Sequence, residues 1–145
     1  MLEHVENLFD GMTDMMKKLK KASYEKNMTA FREKNGHYFE EMTAYTEQAE
    51  DHEAAAKEIA EGFVKAVQDA FSVKGRIKSR MQADLNFFMI YYTFPALLLT
   101  ESEQADLIAK SICSLWDSTF KDSHISYTTY EKIHGNFQEK IFGIF

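Results

Sequence analysis

Arg80-Met81-Gln82-Ala83-Asp84-Leu85-Asn86-Phe87-Phe88-Met89-Ile90-Tyr91-Tyr92-Thr93-Phe94 is the stretch whose reading decides the fold. From Phe87 onward apolar residues are nearly continuous, so a helix here is oily on almost every side. Such a helix belongs in the middle of a protein core or in a bilayer. The run 87–99 is too short for a bilayer, which requires ~18–20 residues. Pro95 lacks an amide donor and is expected to end or kink the helix. Segment 80–94 therefore reads as a central core helix.

The flanking sequence supplies helices to surround it. Leu2, Val5, Phe9, Met12, Met16 and Leu19 recur in steps of three and four, with acids early and lysines late, which predicts a helix over 2–21. Met28, Phe31, Asn35, Tyr38, Met42, Tyr45, Ala49, His52, Ala56, Ile59, Phe63, Ala66 and Ala70 continue the same stepping on one seam. As a single helix this seam would reach about 64 Å, against a diameter of roughly 40 Å for a compact chain of this length. A break is required. Asn35-Gly36 is the preferred place, with a second bend near Glu50-Asp51 where Asp51 can cap the next helix. The expected pieces are a short helix over 27–34 and one or two helices covering 37–71.

Residues 72–80 form a linker around Gly75, with Ser79 available to cap the helix after it. Thr100 with Glu103, and Thr128 with Glu131, have capping-box spacing and open two further helices. The first carries Ala105, Ile108, Ile112, Leu115, Trp116 and Phe120 inward; the second carries Tyr130, Ile133, Phe137 and Ile141. Six glycines and one proline are too few for an all-β sandwich. The expected architecture is all-α: a single domain over 1–145, a bundle of five to seven helices around 80–94.

Composition narrows the function classes. The chain has 145 residues, is 45% hydrophobic and 28% charged, and has a net charge of −6, which disfavours nucleic acid as a partner. One cysteine, Cys113, excludes an internal disulfide, and acids interrupt the first turns where a signal segment would be apolar, so a cytoplasmic location is expected. No membrane span and no cofactor are expected. Twenty-eight aromatic and methionine side chains lie mostly at helical spacing, which is how a bundle fills its interior.

Catalytic motifs are sparse. Glu131 and His134 make one Glu-x-x-His pair where a di-iron bundle requires two. His52-Glu53 begins like a zinc-protease helix, but Ala56 stands where the second histidine belongs, and His37 with Glu40 or Glu41 reads as a solvated face. No glycine-framed nucleophile or phosphate loop occurs, and Cys113 reads as a small buried hydrophobe. No metal site is assigned, and an enzyme is the minority reading.

Two other features stand out. Residues 33–71 hold ten acids against three bases, whereas 72–81 hold four bases and no acid. Lys74, Arg76, Lys78 and Arg80 are thus candidates to bind an anion, whether a phosphate, a nucleotide tail or an acidic stretch of another protein, although pairing with the acidic helix next door is the simpler account. His52 and Asp84 occupy positions where the apolar pattern predicts core. Arg80, one turn before Asp84, is the plain answer to its charge. The sharper one is a polar pocket built from Asp84, Asn86, Tyr91 and Tyr92 with His52 opposite, able to hold a small polar ligand. The expected function is a helical interaction or regulatory module that self-associates as a homodimer, because the apolar seam over 28–70 asks for more partners than one chain supplies. The alternatives are a small-ligand-binding domain at Asp84 and, behind it, a metal-dependent enzyme at Glu131 and His134.

Overall fold

The structure, a computed structural model, describes residues 24–120 and residue 125. The described residues are helical rods with short connections, and none forms a strand. Helix α1 is Tyr24–Gln48, α2 is His52–Phe71, α3 is Ser79–Phe88, α4 is Phe94–Leu98 and α5 is Ala105–Thr119. A π-helical turn over Met89–Thr93 joins α3 to α4 in one continuous rod. The described residues thus make four rods, fewer than the five to seven helices expected; segment 2–21 and the helix expected to open at Thr128 lie outside them.

The break in the long seam falls at one place only, and it is not Asn35-Gly36. Asn35 is buried within α1 and its Nδ2 donates to the Phe31 carbonyl at 3.1 Å, so its amide is satisfied without leaving the helix. A mid-helix glycine costs ~1 kcal/mol relative to alanine, which is less than burying Phe31, Phe39 and Met42 on one stripe returns. The chain turns instead at 49–51, where Asp51 Oδ1 accepts the Ala54 N–H at 3.1 Å and starts α2. Replacing Gly36 by alanine should therefore stabilise the protein by ~0.5–1 kcal/mol, since an added methyl meets nothing within 4 Å. Urea unfolding measures it. A lowered midpoint would contradict an uninterrupted α1.

Pro95 does not end its rod. It sits in the first turn of α4, where a missing N–H matters least. The π-turn before it closes with the Phe94 N–H on the Met89 carbonyl, and regular winding resumes with Leu99 N–H on Pro95 O at 2.9 Å. The rod is buried without a break over residues 92–97, but α3 is not buried all round. In α3 the buried side chains are Gln82, Leu85 and Phe88, one stripe, and Phe87 is 44% exposed on the other side.

Packing follows the apolar faces. Helix α2 lies chiefly against α5, while α1 packs on α4 and α2. Phe31 fixes α1 to the central rod, meeting Phe88 edge-on at 5.3 Å and Tyr92 at 5.8 Å between ring centroids. Phe88 and Tyr92 stack on each other at 5.0 Å. Trp116 of α5 is fully buried and meets Phe120 at 4.7 Å.

Two expected caps are not used. Thr100 turns its hydroxyl back onto the Leu97 carbonyl at 2.6 Å, closing α4 rather than opening α5. Helix α5 starts only at Ala105, after the Ser102 hydroxyl has accepted the Gln104 N–H at 3.1 Å. Ser79 is likewise inside α3, whose N-cap is Lys78 with no side-chain cap. No helix among the described residues is long and apolar enough to cross a membrane.

Candidate functional site

The basic linker is the most structured of the candidates. Val73 N–H donates to Arg76 O at 2.7 Å and Arg76 N–H to Val73 O at 3.2 Å, which pinches residues 73–76 into a tight turn. Both central residues take left-handed backbone, Lys74 at φ 54° and Gly75 at φ 78°. A turn with two positive φ values is the two-residue hairpin type, and Gly75 adopts it without the strain a side chain would bring. Lys74 and Arg76 thus stand on a turn of their own between α2 and α3, and Lys78 follows as the N-cap of α3.

These elements enclose a groove of about 980 Å³. Gln68, Asp69 and Ser72 from the end of α2 form one wall, and Thr119 with Phe120 from the end of α5 form another. Lys74, Arg76 and Lys78 line it, whereas Arg80 stands exposed outside it, in the first turn of α3. All four cations are exposed, and no ion pair joins any of them to a described acid. The internal pairing expected from sequence is thus not formed among the described residues. Electrostatics add to the side chains: the uncapped first turn of α3 leaves amide hydrogens without intrahelical partners, and its dipole end is positive.

The residues proposed for a polar pocket do not share one environment. Asp84 and His52 are both exposed, so neither is the buried exception that the seam suggested. The reason is geometric. Asp84 faces away from the buried stripe of α3, and His52 is the first residue of α2, just after the turn at 49–51 has reset the phase of the seam. Tyr91 is half-buried and pairs its ring with exposed Phe87 at 4.5 Å. Tyr92 is buried, and burial raises the pKa of its phenol, an effect the nearby Asn27 side chain opposes.

Asn86 has a structural partner that spacing did not reveal. Its Oδ1 accepts Trp116 Nε1 at 2.9 Å and Gln82 Nε2 at 2.8 Å, tying α3 to α5. A buried indole on a neighbouring helix is the signal that calls for such an acceptor, since buried N–H groups seek partners. Sequence reading also missed Ser72, Thr119 and Phe120 as walls of the groove, because two of them come from a distant helix end.

A second groove, of about 790 Å³, runs between α2 and α5 beside Lys57, Glu61, Lys110 and Asp117. Its charges are mixed and it has no catalytic pairing. Cys113 lies beneath it, buried, and its thiol is pushed up to about 12 by burial and then by the charge of Asp117, so it stays protonated and unreactive at neutral pH. Among the described residues no three His, Cys, Asp or Glu side chains gather as metal ligands. Glu131 and His134 lie outside the described residues.

No protein-family model matches the chain. Neither a curated protein nor a solved structure shows significant similarity to it.

Proposed function

We propose that this chain is a helical interaction module that holds an acidic segment of a protein partner in the groove beside Lys74, Arg76 and Lys78. One observation carries the reading: three cations with no acidic partner among the described residues line a single groove. Charged side chains that are not satisfied locally attract a complementary surface and raise its rate of encounter. The groove also contains Val73, Ile77 and Phe120, so it offers apolar contact beside the charge, as a peptide-binding surface does. Nucleic acid is the weaker choice, since neutralising its backbone takes more cations than this cluster holds and the rest of the chain is acidic.

A short poly-glutamate peptide tests the reading by calorimetry at low salt. Binding should occur, weaken as salt is added, and fall at least tenfold in the variant Lys74→Glu/Arg76→Glu/Lys78→Glu. Absence of binding at low salt, or equal binding by the variant, would remove the groove from consideration.

A further inference from the structure

We infer that the acidic partner is a second copy of this chain, its α1–α2 corner seated at the basic turn of the first, with the two copies antiparallel along α2. The inference rests on the groove reading above and goes beyond it by naming the occupant.

Helix α2 joins an acidic corner at its start to a basic turn beyond its end, although its own last turn holds Asp69 and no base. Residues 40–53, spanning the end of α1 and the start of α2, carry Glu40, Glu41, Glu47, Glu50, Asp51 and Glu53 and no lysine or arginine. All six acids are exposed. At the other end stand the exposed cations of the 73–76 turn and of Lys78. The twenty residues of α2 separate the two poles by about 30 Å. That is several times the screening length of ~8 Å at physiological salt, so the poles cannot neutralise each other within one chain.

Part of this polarity serves α2 alone, because acids at a helix start complement the helix dipole. That effect is confined to the terminal turns. It accounts for Asp51 and Glu53, but not for Glu40, Glu41 and Glu47 on α1, nor for Lys78 and Arg80 beyond the turn.

A second observation points to a protein as the occupant. Only three large hydrophobic side chains are exposed among the described residues, and each pole has one of them: Tyr45, 39% exposed, at the acidic corner, and Val73, 56% exposed, at the basic turn. The Tyr45 ring is held in place by its hydroxyl, which donates to Glu58 Oε2 at 2.8 Å. An oriented tyrosine ringed by charge is a common centre for a protein interface. Between the poles the outer stripe of α2 is polar, with Glu58, Glu61, Lys65 and Gln68 exposed. Contact is therefore concentrated at the two ends. Antiparallel pairing about a two-fold axis satisfies both ends of both chains at once, giving a closed dimer rather than a filament.

Sedimentation of the full chain tests this. The wild type should be a dimer at low salt, with a dissociation constant that rises at least tenfold on going to high salt. Lys74→Glu/Arg76→Glu/Lys78→Glu and Glu40→Lys/Glu50→Lys/Glu53→Lys should each be monomeric while keeping a wild-type helical circular dichroism spectrum. If either reversal loses helix, the corresponding glutamine variants replace it and are read for loss of the dimer alone, without the mixing arm. Mixed in equal amounts, the two reversed variants should recover a dimer, because the inverted charges complement each other across the interface. A wild-type monomer at low salt, a dimer that survives either reversal, or a mixture that stays monomeric overturns the inference. A monomeric wild type that still binds poly-glutamate at the groove overturns only the identity of the occupant. Loss of peptide binding by a charge-reversed monomer that also fails to pair in the mixture removes the dimer and leaves the groove reading standing.

Discussion

Phe31→Ala should lower the free energy of unfolding by ~3–5 kcal/mol, the range for emptying a buried aromatic site. Phe31 is fully buried and its ring meets three others, Phe39, Phe88 and Tyr92, all edge-on. Removing it opens a cavity and also abolishes edge-to-face contacts worth ~0.5–1.5 kcal/mol each beyond area burial. No ring around it is free to swing in, since two of the neighbours belong to the central rod and stack on each other. A small domain has only ~5–15 kcal/mol in total, so the alanine variant should lose a large fraction of its stability. Phe31→Leu, which fills much of the volume, should lose noticeably less and supply a measurable urea midpoint. Equal, small losses for both would mean that α1 does not dock on the rod through this residue.

Asn86→Leu should cost ~2–4 kcal/mol, because it strands two donors at once. Trp116 is fully buried, and its indole N–H has the Asn86 carbonyl oxygen as its acceptor at 2.9 Å. Gln82, also buried, gives its amide to the same atom. Leucine has the same branching and number of side-chain heavy atoms as asparagine, so the loss reports hydrogen bonding more than shape. Asn86→Asp retains an acceptor and should recover most of the stability at neutral pH. Urea unfolding followed by Trp116 fluorescence gives both values, and a leucine variant as stable as the wild type would show that the two donors find other partners.

The helical character of the chain is legible because it depends on spacing, and spacing survives without tertiary knowledge. Met28, Phe31, Met42, Ile59 and Phe63 are placed in the core by their intervals and are buried. Local punctuation is what misleads. Asn35-Gly36 looks like a helix end, yet the packing of Phe31 and Phe39 on either side outweighs it, whereas Asp51 makes the real boundary by a single hydrogen bond. That boundary also explains His52, a member of the seam left exposed where the phase is reset. Tyr45 leaves the seam for another reason: the buried stripe steps through Phe39, Met42 and Thr46, and Tyr45 falls at its edge.

For the site, clustering of like charge is visible in sequence, and the structure brings three of the four cations to one groove. The walls of that groove are not visible, since Thr119 and Phe120 arrive from another helix. Asp84 is misplaced for a different reason. A dense run of apolar residues suggests burial on every side, but α3 turns only one stripe inward, and Asp84 belongs to the outward side together with Phe87.

The widened turn at Met89–Thr93 has a consequence for helical wheels. A π-turn absorbs one extra residue while the helices before and after it keep their own direction. Angular positions drawn continuously from Ser79 to Leu98 therefore slip by about 100° past the turn, the rotation of one α-helical residue. Side chains of α4 must be assigned to faces on a wheel of their own, starting afresh at Phe94.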